Sequence, residues 1–569
     1  MTNLEKINLQ IKKYRFSLPI FILYVVFLCF VSYYHEPWHD EGQAWLIARD
    51  DSLWQLLTET THYEGHPPLW HLSLMPFAKL GVSFSFGLKT INIFFSSCAM
   101  GLLIFKSPLP LLLRFTLPFT YFFFYQYGVV NRSYSLLMLG TMLTAYFYSQ
   151  RQEHPYKLSL SLALLAGSQA YGMMFACGVA IVWLVELCRR KRIRVNNVLN
   201  LFLEEQEGKA LSLLFFLSLG LGLSILPYKD TAFTNNGIEI NFWENIFYLF
   251  TVMPGQFLLS NTMQSNVIKD SLEFFLANLK IYWQMISTQG VYAVLIAIQW
   301  VVSYIYGLFF NLGLGYFCWQ EKMLALFLCP LLLMNLLGSL VYWNMYHTGV
   351  WACFYVFILW QLWSNKESFK AVKDSLQSKF TYHWEFLFVK GGLLIFCLAV
   401  LLTNFSWSWE ASKNNFLYDT DASSAIAKFI KDNKLTNYKI WTGANFTPNA
   451  TLASDNVATG AYAINCYFDN NVLQNLDGGN TNHAYHEYKL LPKEKYFEQV
   501  RKFGQPDFII GREPKLEDVF SHPAKYIVIE TFQAKTIWKN SATKFYVNMY
   551  MRKDLLKDFP QFPEIKEKI

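Results

Sequence analysis

Nineteen consecutive residues from Phe16 to Tyr34 carry no charge. As a helix they would extend about 28 Å at about 1.5 Å per residue, close to the roughly 30 Å thickness of a bilayer's hydrocarbon core. Lys12, Lys13 and Arg15 precede the run and no small-residue cleavage site follows it, so it reads as a retained signal anchor. Similar apolar runs recur near 86–105, 109–127, 133–150, 158–170, 172–188, 211–228, 291–311, 323–342, 348–364 and 386–405. Only 16% of the 569 residues are charged and 53% are hydrophobic, whereas a soluble domain carries about 25% charge. An ordinary soluble enzyme does not fit this pattern.

Charge fixes the orientation. With the N-terminus in the cytoplasm, and counting the N-terminal segment and the loops between apolar runs, eighteen Lys and Arg fall inside, among them the cluster Arg189, Arg190, Lys191, Arg192 and Arg194, and six fall outside. The excess of cations in cytoplasmic loops selects this phase. The same placement argues against nucleic acid as a partner for the net charge of +7, because the cations flank apolar runs and form no stripe on a polar face. Eight of nine cysteines lie in apolar segments, Cys466 is alone in the polar region, and no CxxC pair exists. A disulfide framework is therefore not expected.

The expected fold is a polytopic α-helical membrane protein of about eleven transmembrane helices over residues 1–405, with a first outer loop at 35–85. A C-terminal extracytoplasmic α/β domain follows over 406–569. Helices are expected at Ala422 to Lys431 and Lys493 to Phe503, and strands at Lys439 to Thr442, Asp507 to Ile510, Tyr526 to Thr531 and Phe545 to Met551. The expected location is the plasma (inner) membrane, multi-pass, with the lipid bilayer as a partner.

The first outer loop is chemically unlike the rest. It holds His35, His39, His62, His66 and His71, five of the eleven histidines, with Glu36, Asp40, Glu41, Asp50, Asp51, Glu59 and Glu64. Such groups supply general bases and metal ligands, although a solvated connector also needs polarity. Trp38-His39-Asp40-Glu41-Gly42 leads into an amphipathic helix suited to the membrane interface. Tyr63-Glu64-Gly65-His66-Pro67-Pro68-Leu69-Trp70 then returns the chain toward a short apolar helix.

A signal anchor, the acidic pair Asp40 and Glu41, an interfacial helix and the Gly-His-Pro-Pro-Leu segment together resemble the polytopic GT-C glycosyltransferases. The branch is that of protein mannosyltransferases and lipid A aminoarabinose transferases. Asn131-Arg132-Ser133-Tyr134-Ser135 resembles the family's Arg-x-Tyr segment, and Gln169-Ala170-Tyr171-Gly172 its aromatic link between two helices. The likeness covers roughly the first 230 residues by motif and the whole chain by order. It implies a polyprenyl-phosphate-linked sugar donor, an extracytoplasmic acceptor (glycan, lipid or protein) and Asp40 in the place of the first-loop acidic residue that acts as base toward the acceptor or positions it. Glu41, Glu64, His66, Arg132, Tyr134, Tyr171 and His347 are the expected substrate-binding set.

Some positions depart from the family. Asn131 and Arg132 stand where some relatives have an acidic residue, and His66 stands where others have Lys before Pro. A divalent metal on His66 with Glu64 or His347 is an open alternative, though the spacing matches no standard metal motif. Arg132 suits a phosphate, which a guanidinium binds through two oxygens, and equally suits a headgroup contact. The rival functions are a transporter or flippase of an amphipathic lipid, and a non-catalytic envelope assembly protein.

Overall fold

The computed structural model describes residues 15–192, 198–231, 291–341, 345–365, 383–442, 461–473, 501–511 and 519–565, with a few positions between 249 and 257 and at 343, 498 and 516. The fold is mainly helical. In chain order come α1 (Ser17–Tyr34), α2 (His39–Asp50), α3 (Leu69–Lys79), α4 (Phe84–Lys106), α5 (Tyr134–Tyr148), α6 (Pro155–Ala166), α7 (Ala170–Arg190) and α8 (Gln206–Ser224). These are followed by α9 (Val291–Gln320), α10 (Leu324–Leu340), α11 (Thr348–Ser364) and α12 (His383–Leu417). Among the described residues, α1, α4, α7 and α8 are long and apolar enough to cross a membrane.

These helices are apolar on both faces. In α1, Tyr24 and Leu28 are fully buried while Ile22, Val26 and Phe30 are exposed, and Phe215 and Phe216 are exposed on α8. A water-soluble helix turns charged residues outward, so the exposed apolar face here suits lipid.

The run at 109–127 is not one helix. A short helix, Leu111–Thr116, tightens into a 3-10 turn at Leu117–Phe119 and extends at Thr120 before a wide π-helix forms over Phe122–Val129. Pro118 lacks the N–H that would continue the first helix. All eight residues of the π-helix are buried. A hydropathy average sees an unbroken apolar run and misses this break. The runs at 133–150 and 158–170 correspond to α5 and α6, of 15 and 12 residues, shorter than a full span.

The C-terminal region contains α13 (Ser423–Asp432), β1 (Ile440–Thr442), β2 (Phe508–Gly511), β3 (Tyr526–Trp538) and β4 (Ser541–Arg552). The sheet order is β1-β2-β4-β3, with β1 parallel to β2 and the other pairs antiparallel. Alternation divides the strands between two cores: Phe508, Ile510 and Met549 join Ile426 and Ile430 of α13, while Ile509 and Tyr550 pack with Trp441 on the other face. The expected helix Lys493 to Phe503 lies outside the described residues except at its end.

The β3–β4 hairpin runs beyond the sheet into the helical part. Its Trp538 ring lies 5.7 Å from Tyr121 and 5.0 Å from Tyr346. At its turn the Lys539 backbone N–H donates to the Tyr121 hydroxyl at 3.0 Å, and Lys539 Nζ stands 4.3 Å from the Trp407 ring. The sequence reading stopped this strand at Thr531. Of the additional residues, Phe532 and Ala534 still pack in the C-terminal core, while Ile537 and Trp538 at the tip join the core of the helical part.

Candidate functional site

The site is assembled around the start of α2. Glu41 folds back so that its carboxylate accepts the Trp38 backbone N–H at 3.0 Å, capping the helix. The same carboxylate accepts the Asn131 backbone N–H at 2.6 Å and side-chain amide at 2.7 Å, and meets His35 Nε2 at 3.0 Å. Glu41 is fully buried. Burial alone would raise its pKa, but His35 and the N–H donors outweigh this and hold the carboxyl below its ordinary value. Glu41 thus joins the end of α1, the start of α2 and the segment before α5, and it does not line the adjacent cleft.

Asp40 turns the other way. It forms an ion pair with Arg132 and receives His39 Nε2 at 2.9 Å. Burial pushes its carboxyl up, but Arg132, His39 and to a smaller degree His66 more than offset that and hold it well below the usual carboxylate range. Asp40 is therefore ionised at neutral pH. The Arg132 guanidinium also lies 5.7 Å from the Tyr134 ring.

The opposite wall is shaped by Gly65, whose φ of +66° lies in the left-handed region that a side chain disfavours. This turn ends the short helix at Glu64 and sends His66 into the cleft before Pro67 and Pro68 start α3. Glu64 accepts the Gln43 amide at 2.6 Å. The resulting cleft is lined by Asp40, Gln43, Glu64, His66, Trp70, His71 and Arg132, with Ala44 and Ser133.

The histidines in this cleft are neutral. Burial, with a contribution from Arg132, lowers His66 to about 4 against the pull of Asp40. Burial and the neighbouring His66 lower His71 to about 3. His66 is therefore not a second cation for an anionic ligand near neutral pH.

Asp40, Glu64, His66 and Arg132, singled out from the sequence, share the cleft. Tyr134, Tyr171 and His347 form an aromatic group beside it: Tyr134 stacks on Tyr127 at 4.2 Å, and His347 lies 6.4 Å from Tyr134 and 4.8 Å from Tyr171. Trp70 and His71 were not expected in a binding role; their position directly after the Pro-Pro pair was the available signal. Asp421, from the C-terminal region, was also missed. It is buried, its Oδ2 has no hydrogen-bond partner among the described residues, and burial raises its carboxyl well above the ordinary value despite His39. No sequence pattern connects it to a loop almost four hundred positions away.

Among the described residues, no three His, Cys, Asp or Glu side chains converge as a metal-holding group. His66 and Glu64 share the cleft, whereas His347 belongs to the aromatic group. Compared with known proteins, the chain matches no family model, no curated protein and no solved structure.

Proposed function

We propose that this chain is a polytopic glycosyltransferase of GT-C type that transfers a sugar from a polyprenyl phosphate to an acceptor on the extracytoplasmic side of the plasma membrane. The observation that carries the reading is the Asp40–Arg132 ion pair in the wall of a polar cleft, just beyond an apolar helix. Contact between the first outer loop and the C-terminal region supports a topology that places both on one side, as eleven crossings would.

In this reading Arg132 has two successive partners. Before donor binds, it neutralises Asp40. An arriving phosphate competes for the guanidinium, whose planar set of donors matches two phosphate oxygens, and Asp40 is released. The acceptor hydroxyl then attacks the anomeric carbon as the bond from that carbon to the phosphate oxygen breaks. The electron pair leaves with the phosphate, held by Arg132, and the hydroxyl proton passes to Asp40. A carboxylate with a lowered pKa is a weak base. That suffices where the sugar carries oxocarbenium character and the hydroxyl becomes acidic only as its new bond forms. A single base with no nucleophile implies inversion.

The test is transfer by full-length protein in proteoliposomes supplied with a polyprenyl-phosphate sugar. Asp40→Asn, which keeps size and insertion, is expected to lower turnover by at least roughly 100-fold, the low end for loss of a general base. Turnover near that of the unaltered protein would exclude Asp40 as the base, and absence of transfer by the unaltered protein would favour a flippase or an assembly protein.

A further inference from the structure

Resting on the glycosyltransferase reading, we propose that Trp70 and His71, with His66, form a subsite for an uncharged, hydroxyl-bearing sugar ring. Three polar atoms carry the argument. Trp70 Nε1, His71 Nδ1 and His66 Nδ1 are all buried and have no hydrogen-bond partner among the described residues, and all three residues line the same cleft. Trp70 and His71 are each only 3% exposed.

A buried polar group without a partner is destabilising, and native proteins keep few of them. Three on one cleft wall point to a ligand that completes them. Their chemistry narrows its class. Trp70 Nε1 is a donor only and requires an oxygen or other acceptor. A neutral imidazole nitrogen either donates or accepts, according to tautomer. A hydroxyl does both, so a ring bearing several hydroxyls satisfies all three atoms together. An ammonium has donors only and leaves the Trp70 N–H unanswered. A carboxylate would satisfy Trp70 but would lie near Asp40 and Glu64 and two neutral imidazoles, while the Arg132 guanidinium is taken by Asp40 or, with donor bound, by the phosphate.

The position agrees with the transfer geometry. Arg132, the proposed phosphate contact, and Asp40, the proposed base, line the same cleft as Trp70 and His71, so a sugar here would be a neighbour of both. A site built around hydrogen bonds to hydroxyls discriminates strongly against ligands that lack them.

Substitution is clean because the Trp70 N–H has no partner to lose among the described residues, and Trp70→Phe keeps an aromatic ring. Full-length protein in lipid nanodiscs would be titrated, with native mass spectrometry as the readout, against polyprenyl phosphate, polyprenyl phosphate bearing a neutral hexose, polyprenyl phosphate bearing an amino sugar, and a soluble methyl hexoside. The neutral-hexose lipid is expected to bind at least roughly tenfold more tightly than the bare lipid. Trp70→Phe and His71→Phe should each remove most of that increment and leave bare-lipid affinity unchanged. Bare-lipid binding with no sugar increment, an increment that survives both substitutions, or tighter binding of the amino-sugar lipid would overturn the subsite while leaving the donor reading intact. Binding of the methyl hexoside in a Trp70-dependent way, with no lipid bound, would support the subsite and overturn the donor. Binding of none of the four probes would overturn both.

Discussion

Glu36 and Ser424 stand 388 positions apart, yet the Ser424 backbone N–H donates to the Glu36 carboxylate at 2.8 Å. The Asp421 and Ala422 N–H groups reach the same carboxylate at 3.1 and 3.2 Å. These are N–H groups at the start of α13, which no side chain of its own caps. A helix start leaves such donors unpaired and favours negative charge, and here the anion comes from the residue just past α1. Glu36→Gln keeps one acceptor oxygen and removes the charge, so the docked α13 should lose about 1–2 kcal/mol. Hydrogen exchange of the amides at 421, 422 and 424 would accelerate in this variant; unchanged protection would mean that Glu36 does not hold the helix.

The second contact is made of backbone. A Cβ added at Gly42 would lie 2.6 Å from the Ala463 Cα, and Cys466 Sγ donates to the Gly42 carbonyl oxygen at 3.3 Å. Two residues before Gly42 is Asp40. Gly42→Ala forces α2 and the C-terminal region apart because a backbone atom cannot rotate away, and overpacking of this kind costs about 1–3 kcal/mol. The variant should melt lower and transfer more slowly than the unaltered protein. Equal melting and transfer would show that the contact is slack.

Much of this arrangement was readable only in part from the sequence. Asp40, His66 and Arg132 drew attention because ionisable residues at the ends of apolar runs need a reason, and the cleft gathers all three. Glu41, next to the candidate base Asp40 in sequence, is expected from the sequence to bind substrate. On a helix, however, adjacent residues point about 100° apart, and that rotation sends one carboxylate to Arg132 and the other to Asn131. The Ser423-Ser424 pair resembles a self-capping start, so nothing local suggested that Glu36 supplies the cap. The π-helix at Phe122–Val129 was hidden for a different reason: hydropathy records that a residue is apolar, and a uniformly apolar segment has no periodicity to reveal its helical type.

Acid should weaken the fold through the cleft histidines. His66 and His71 have ordinary pKa values of 6.5 and are lowered in the folded protein to about 4 and about 3. Between those values and 6.5 the unfolded chain binds protons that the folded chain refuses. Stability is therefore full above about pH 6.5 and declines as pH falls through this window, on the order of 2 kcal/mol for each histidine by pH 5. His71→Phe should flatten the decline, measured by melting temperature between pH 7.5 and 4.5. An unchanged slope would assign the acid sensitivity to other groups.

Arg132 separates charge from shape. Arg132→Gln leaves Asp40 with burial, the largest influence on it, opposed mainly by His39. Its carboxyl should then rise by about 1 to 3 pH units, the usual effect of one close opposite charge, and the acid limb of the turnover profile should move up with it. Donor affinity should fall at the same time because the phosphate has lost its contact. Arg132→Lys retains the charge as a point and loses the planar fork, so donor affinity should fall while the acid limb stays near its original place. The two variants thus give different pairs of outcomes in one experiment, a pH profile with donor affinity at each point. An acid limb that remains fixed in Arg132→Gln would show that Asp40 is not the titrating base, and donor affinity unaltered in both variants would place the phosphate elsewhere.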